Sequence, residues 1–147
     1  MQTVQICRIA GNEDLSLPEK MSTGASGFDL SAAVTEELVL KPGEWKLIPT
    51  GISIAMPENL EAQVRPRSGL AYKHGISMLN SPGTIDADYR GEIKVIMVNF
   101  GDQPFRVNRG DRIAQLVFQE VAKVHLEQVE ELVGTVRGEG GFGHTGV

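Results

Sequence analysis

Arg137 runs directly into a glycine-rich tract, Gly138-Glu139-Gly140-Gly141-Phe142-Gly143. Glycine lets backbone N–H groups come close to a phosphate, and a guanidinium beside them offers a planar fork of donors to the same anion. The tract formally fits G-x-G-x-x-G, but it is not followed by a helical pattern, so a dinucleotide-binding strand–turn–helix unit is not expected. A second basic stretch, Arg65-Pro66-Arg67-Ser68-Gly69, lies where a strand pattern gives way to a short helical one. Two readings apply there: an anion held by Arg67, Ser68 and free helix N–H groups, or a capping Ser68 with Arg67 in solvent. A third stretch, residues 80–93, is rich in turn residues and reads as a β-hairpin that could present backbone donors and acceptors to a planar ligand. It carries Asp86 and Asp88, expected in different surroundings, one of them a candidate general base. The stretch 109–117 is a turn feeding a strand; Gln115 is an available polar contact, while Arg109 and Arg112 read as surface charges or partners of Asp111.

These groups need a rigid frame, and the punctuation of the sequence indicates which kind. Its 17 glycines and seven prolines separate short runs rich in Val, Ile, Leu and Thr. Strands are expected at 38–40, 45–48, 52–56, 62–65, 76–79, 93–99, 105–107, 112–119 and 125–129. In Ile52-Ser53-Ile54-Ala55-Met56 and Ile93-Lys94-Val95 the apolar residues hold one parity, as in a sheet wetted on one face. The single helical candidate is 68–74, with Ser68 as a cap and Gly75 as a stop. The expected fold is all-β, a jelly-roll-like sandwich or barrel of short strands with one short helix. Residues 1–133 would form the β domain. Residues 134–147 hold six of the glycines and little apolar material, so they are expected to be a flexible Gly-rich C-terminal arm.

Composition narrows the partners. The 147 residues suit one domain with one core. Fourteen Lys and Arg against 19 Asp and Glu give a net charge of -5, the wrong balance for holding a nucleic-acid polymer but compatible with a few converging cations around a small anion. No apolar run approaches the ~20 residues needed to cross a bilayer, and the N-terminus lacks a signal-peptide core. Cys7 is the only cysteine, which precludes an intrachain disulfide and fits a reducing compartment. The expected location is the cytoplasm, with no membrane partner. Cys7 reads as a small apolar filler, Trp45, Tyr72 and His74 as packing or subunit-interface residues, and 127–131 as a solvated acidic face.

Five stretches in order, ASGFDLSA (25–32), PRSGLA (66–71), NSPGTIDADYRGEI (80–93), RGDRIAQLV (109–117) and RGEGGFGHTG (137–146), resemble the motifs of the trimeric dUTPase family, in a wording similar to its bacterial and plant-type members. The resemblance implies hydrolysis of dUTP to dUMP and pyrophosphate, which keeps uracil out of DNA and supplies dUMP for dTMP synthesis. Carried over by motif, Asp86 would be the general base drawing a proton from the water that attacks the α-phosphorus. Arg67, Ser68 and Gly69 would bind phosphate oxygens, with Gln115 beside them. Asn80 and the backbone around Gly83, Thr84 and Ile85 would read the uracil edge; Tyr89 would lie against the deoxyribose; Lys94 falls on a ligand position. Arg137 would grip the terminal phosphate while Phe142 stacks over uracil. Asp29 matches a carboxylate acting through metal-bound waters or supporting the site. The implied cofactor is Mg²⁺ held by phosphates and water with no direct protein ligand, and the implied assembly is a homotrimer whose sites are shared, each arm closing over a neighbour.

One departure is His144, where the family usually carries serine; an imidazole there would make a pH-sensitive phosphate contact or simply face solvent. A dCTP deaminase of the same fold would use a glutamate in the hairpin region and a different arm. A non-catalytic β-sandwich binding module would explain the strands but not the Arg137 and Phe142 tail.

Overall fold

The computed structural model describes residues 2–141. In chain order the elements are β1 (Gln5–Arg8), β2 (Phe28–Ser31), β3 (Leu38–Leu40), β4 (Trp45–Pro49), β5 (Ile52–Ala55) and β6 (Leu60–Arg65). The chain continues through α1 (Ser68–His74), β7 (Ile76–Met78), β8 (Gly83–Ile85), β9 (Lys94–Asn99), β10 (Phe105–Val107) and β11 (Arg112–Glu120). Among the described residues this is an all-β sandwich of jelly-roll type with one short helix. Its two larger sheets run β2-β11-β6-β8 and β4-β9-β7, and two-stranded pairs β1-β5 and β10-β3 complete it, every pairing antiparallel.

Alternation builds the core. Along β6, Leu60, Ala62 and Val64 are buried while Glu61, Gln63 and Arg65 face outward. Facing strands supply Leu30, Leu40, Ile48, Val95 and Met97 to the same cluster. β11 breaks its own period: Ile113 and Ala114 are consecutive and both buried. The register against β2 slips at that point, Arg112 opposite Ser31 but Ala114 opposite Leu30, so the strand carries a bulge. The bulge returns Arg112 to the outward face, which Gln115 and Asp29 share as directly paired residues.

Several expectations change. Residues 80–93 do not form a hairpin: β8 pairs with β6, and β9 lies in the other sheet. The connection is tied instead to the corner between β4 and β5, where Ile93 N–H donates to Ile52 C=O (2.9 Å), Gly51 N–H to the Glu92 carboxylate (3.0 Å) and the Thr50 hydroxyl to Ile93 C=O. β1, β2 and β8 were not expected, and 125–129 carries no strand. Val124 and Leu126 keep the alternating pattern there but stand 79% and 90% exposed, and among the described residues the segment pairs with no strand, so no ladder holds it. Arg67, not Ser68, is the N-cap of α1, and no side chain caps it; Gly75 ends the helix at φ 66°, as expected. Cys7 is exposed on β1 rather than filling the core. Trp45 and Tyr72 are exposed, so within one chain neither packs; His74 does, its ring 5.3 Å from that of Phe105. The stretch 127–131 is exposed throughout.

The single chain leaves 10325 Å² in contact with solvent. A folded monomer of its mass exposes about 7,400 Å². Part of the excess is residues 121–139, all exposed. Another part is the outward face of β4-β9-β7, where Trp45 (61% exposed), Leu47 (56%) and Leu79 (48%) stand beside Ile96.

Arg109 ties the N-terminal segment to the turn ahead of β11. Its guanidinium donates to the Asp14 carboxylate (2.7 and 2.9 Å), to Gly11 C=O, to the Asn12 side chain and to Val34 C=O. It thus pairs with Asp14 and not with Asp111, whose carboxylate accepts Asn108 N–H within the turn. The hydrogen bond from Arg109 holds the Asp14 carboxyl below its ordinary value of 3.8, and the pairing raises Arg109 in turn. A lowered carboxylate stabilises the fold above its unfolded pKa and loses that contribution as pH falls through the folded one. Asp14→Asn is therefore expected to lower the urea midpoint at pH 7, with the gap to the unsubstituted protein narrowing below about pH 4. A gap unchanged between pH 7 and pH 3 would contradict this.

Candidate active site

Two clusters of polar residues sit on neighbouring strands. The first lines an open hollow of about 340 Å³. Thr84, Ile85, Asp86 and Tyr89 reach it from the end of β8 and the turn that follows, Glu92 from just ahead of β9, Lys94 from its first position, and Leu47 from β4. The turn is closed by Tyr89 N–H donating to Asp86 C=O (3.1 Å) and by Arg90, which donates to the carbonyls of Ala87 and Tyr89. Ala87 packs on the core, which leaves Asp86 exposed on the hollow side. Asp88 lines a different depression, with Met56, Glu58 and Arg90. The two carboxylates do stand in different surroundings, and only Asp86 shares a hollow with Tyr89 and Lys94.

The walls are fixed by short-range contacts. The Tyr89 hydroxyl donates to Glu92 C=O at 3.0 Å, and its ring lies over Gly91, where a Cβ would collide with the ring edge. The Glu92 carboxylate accepts Gly51 N–H and lies 3.6 Å from the Lys94 ammonium. β8 closes the sheet order on one side, so only its β6-facing edge is laddered and the other leaves backbone N–H and C=O groups unpaired by strand. Gly83 is buried against Val64, and a Cβ there would come within 3.4 Å of the Asn80 amide, so Asn80 lies against the start of this edge.

The second cluster gathers where β6 passes into α1. Arg67, Ser68 and Gly69 lie at the helix start, the last two exposed. The Gln115 amide donates to Pro66 C=O (2.9 Å), and its side chain occupies the space over Gly27, where a Cβ would lie 3.0 Å from Gln115 Cδ; glycine in the first motif makes room for it. Asp29 is the hub: Oδ1 is 3.4 Å from Arg67 Nε, and Oδ2 accepts from Arg112 Nη1 at 3.0 Å. Arg112, expected as a surface charge or a partner of Asp111, is instead paired with Asp29.

The two clusters are joined through β6, whose Gln63 pairs with Thr84 and whose Arg65 pairs with Gln115, but Arg67 and its neighbours do not line the hollow of Asp86. Arg137 meets neither cluster within the chain; its Nε donates to Gly140 C=O (2.7 Å). Phe142 and His144 lie outside the described residues. Three residues at these clusters carried no role in the sequence reading. Glu92 had a signal, since it carries the opposite charge two residues before Lys94, just ahead of β9. Leu47 is one of many alternating strand residues. Arg112 is aimed by a bulge that only the broken period at Ile113 and Ala114 betrays. A larger hollow of about 400 Å³, walled by Val4, Ile6, Phe28, Leu116 and Phe118 among others, contains no titratable side chain and offers no chemistry.

The dUTPase family profile matches residues 13–146. The chain is 57% identical over 135 residues to the deoxyuridine 5'-triphosphate nucleotidohydrolase of Thermoanaerobacter sp. (strain X514), covering 92% of this chain and 91% of that protein. It is 55% identical to that of Caldanaerobacter subterraneus subsp. tengcongensis, covering 98% and 97%. Among solved structures, a dUTPase of Staphylococcus bacteriophage 80alpha with dUpNHpp matches at TM-score 0.88 and 28% identity over 99% of each chain. A dUTPase from phage phi11 of S. aureus, described with a structural Mg(II) ion, matches at TM-score 0.78 and 25% identity over 88% of this chain and 98% of that one.

Proposed function

The chain belongs to the dUTPase family and is a dUTP diphosphatase, and from that premise we propose how its residues divide the work. Asp86 takes a proton from water, which attacks the α-phosphorus and releases pyrophosphate. The observation that carries this reading is the shared hollow, which sets one exposed carboxylate beside Tyr89, Lys94 and the free edge of β8. Uracil pairs with the unladdered backbone around Gly83, Thr84 and Ile85 and with Asn80. Cytosine would offer a donor where that edge needs an acceptor. Tyr89, held at its hydroxyl by Glu92, packs against the deoxyribose where a 2′-hydroxyl would intrude. Arg67, Ser68 and Gly69 bind phosphate oxygens, Gln115 holds Pro66 and thereby their loop, Arg137 grips the terminal phosphate, and Phe142 stacks over the base. Phosphoryl transfer asks mainly for positioning and charge neutralisation, which scattered donors of this kind supply.

The donor set fits Mg²⁺ carried in by the triphosphate. Each Asp29 oxygen faces an arginine guanidinium, at 3.4 and 3.0 Å, and that positive charge opposes a cation bound directly to the carboxylate, so Asp29 would reach the ion through water. Bound there, the ion would neutralise phosphate charge.

The site is completed by assembly into a homotrimer. Residues 1–133 form the β domain and 134–147 the arm that closes over a neighbour. Two features support this: the separation of Asp86 from the Arg67 cluster, and the exposed apolar face of Trp45, Leu47 and Leu79. Leu47 also lines the hollow, so that face and the site are continuous. Trp45→Asp is expected to shift the sedimenting species from trimer to monomer and to remove turnover with it; a trimer of normal activity would contradict the proposed contact. In the cell the enzyme acts in the cytoplasm, lowering dUTP and supplying dUMP for dTMP synthesis. The reading is tested by pyrophosphate release across dUTP, dCTP, dTTP and UTP. Release from dUTP alone is expected; ammonia from dCTP, or no turnover of any of the four, would overturn it.

A further inference from the structure

Resting on the phosphate role given above to Arg67, we infer that Arg112 is a positioning residue which keeps the Arg67 guanidinium available to the triphosphate. Three observations carry this. First, Asp29 is 14% exposed at its side chain and faces two arginines at once. Its good hydrogen bond is to Arg112, at 3.0 Å; its contact with Arg67 Nε is a looser 3.4 Å. Second, Arg67 Nη1 donates to the backbone carbonyl at position 112, 2.9 Å away, a bond that survives substitution of the Arg112 side chain and keeps Arg67 beside Asp29 in the variants. Among the described residues Nη2 of Arg67 takes no partner. Third, the β11 bulge at Arg112–Ala114 buries Ile113 and turns Arg112 outward onto the face of Asp29; bulges recur where a strand must re-aim a side chain beside a site.

The electrostatic consequence follows. With two guanidiniums and one carboxylate the cluster keeps a net positive charge. Without Arg112, the Asp29 carboxylate has one cation left and draws Arg67 into a bidentate pair, the preferred geometry for guanidinium and carboxylate. That pairing would consume the donors meant for phosphate and leave the site with no net charge toward a polyanion.

The test is a double-mutant cycle in the full-length enzyme with dUTP, reading KM and kcat separately, with thermal midpoint and oligomeric state measured alongside. Arg112→Gln is expected to raise KM for dUTP about ten-fold, and Arg67→Gln at least as much. The double variant is expected to match Arg67→Gln alone, because a residue acting through Arg67 has nothing to act on once Arg67 is gone. If Arg112→Gln does not assemble, the cycle is run with Arg112→Lys, whose single ammonium is expected to give a smaller and equally non-additive loss. A silent Arg112 variant, or a double variant whose loss is the product of the two single losses, overturns the inference while leaving the phosphate role of Arg67 intact. A silent Arg67→Gln would overturn that role and the inference together.

Discussion

Asp86→Asn is expected to lower kcat by about 10²–10⁴-fold, the usual worth of a positioned general base, with KM for dUTP and the thermal midpoint nearly unchanged. The substitution keeps shape and polarity and removes the proton acceptor. It touches little else: the Asp86 side chain is exposed, and the turn it opens is closed by backbone, Tyr89 N–H to Asp86 C=O, which asparagine preserves. Pyrophosphate release under saturating dUTP measures the effect. Turnover near that of the unsubstituted enzyme would remove Asp86 from the reaction and leave Glu92, the other carboxylate of the hollow, to be tested in its place.

Removing residues 134–147 is expected to lower kcat/KM for dUTP by about 10³-fold or more, because it takes away Arg137, which neutralises charge on the departing pyrophosphate, together with Phe142 over the base. The β domain should survive the cut. β11 ends at Glu120, residues 121–139 are exposed, and the ladder contacts of the sandwich all lie upstream. Among the described residues the Arg137 side chain meets only a local carbonyl, Gly140 C=O, and makes no contact with the β domain. The far-ultraviolet spectrum and thermal midpoint of the shortened chain should therefore match those of the whole one. Unimpaired hydrolysis would refute the closing arm, and an unfolded product would show that residues 134–147 belong to the β domain.

Much of the sandwich was legible because alternation is a local signal: β5 and β6 declare their faces in four to six residues, while β9 was legible as a β-branched apolar run. What escaped lacks that signal or carries it only briefly. β1 is exposed at all four positions and β8 opens on a glycine, so neither shows a clear apolar parity; β2 does alternate, Phe28 and Leu30 against Asp29 and Ser31, but over only four residues directly after Gly27. The mistaken hairpin had a different origin. Turn residues between two strands specify that the chain bends but not which strand it meets, and three bonds to the corner after β4 send β8 to β6 instead. The residues at 125–129 show the converse, a strand pattern that pairs with no strand among the described residues. At the site, motif resemblance supplied Asp86, Tyr89 and Lys94, and the structure gathers them in one hollow. It could not supply the pairing of Asp29 with Arg112, residues 83 positions apart that meet because a bulge changes register.

Co-assembling Asp86→Asn chains with chains lacking residues 134–147 puts the shared site to its sharpest test. Neither variant alone is expected to turn over dUTP appreciably. If each site takes its base from one chain and its arm from another, random mixing in equal amounts restores about a quarter of the sites, since the two contributions come from different subunits of a closed ring. That recovery of pyrophosphate release is the result expected here. Mixed assemblies as inactive as their parents would mean that base and arm must come from the same chain, and the division of labour between subunits would have to be abandoned.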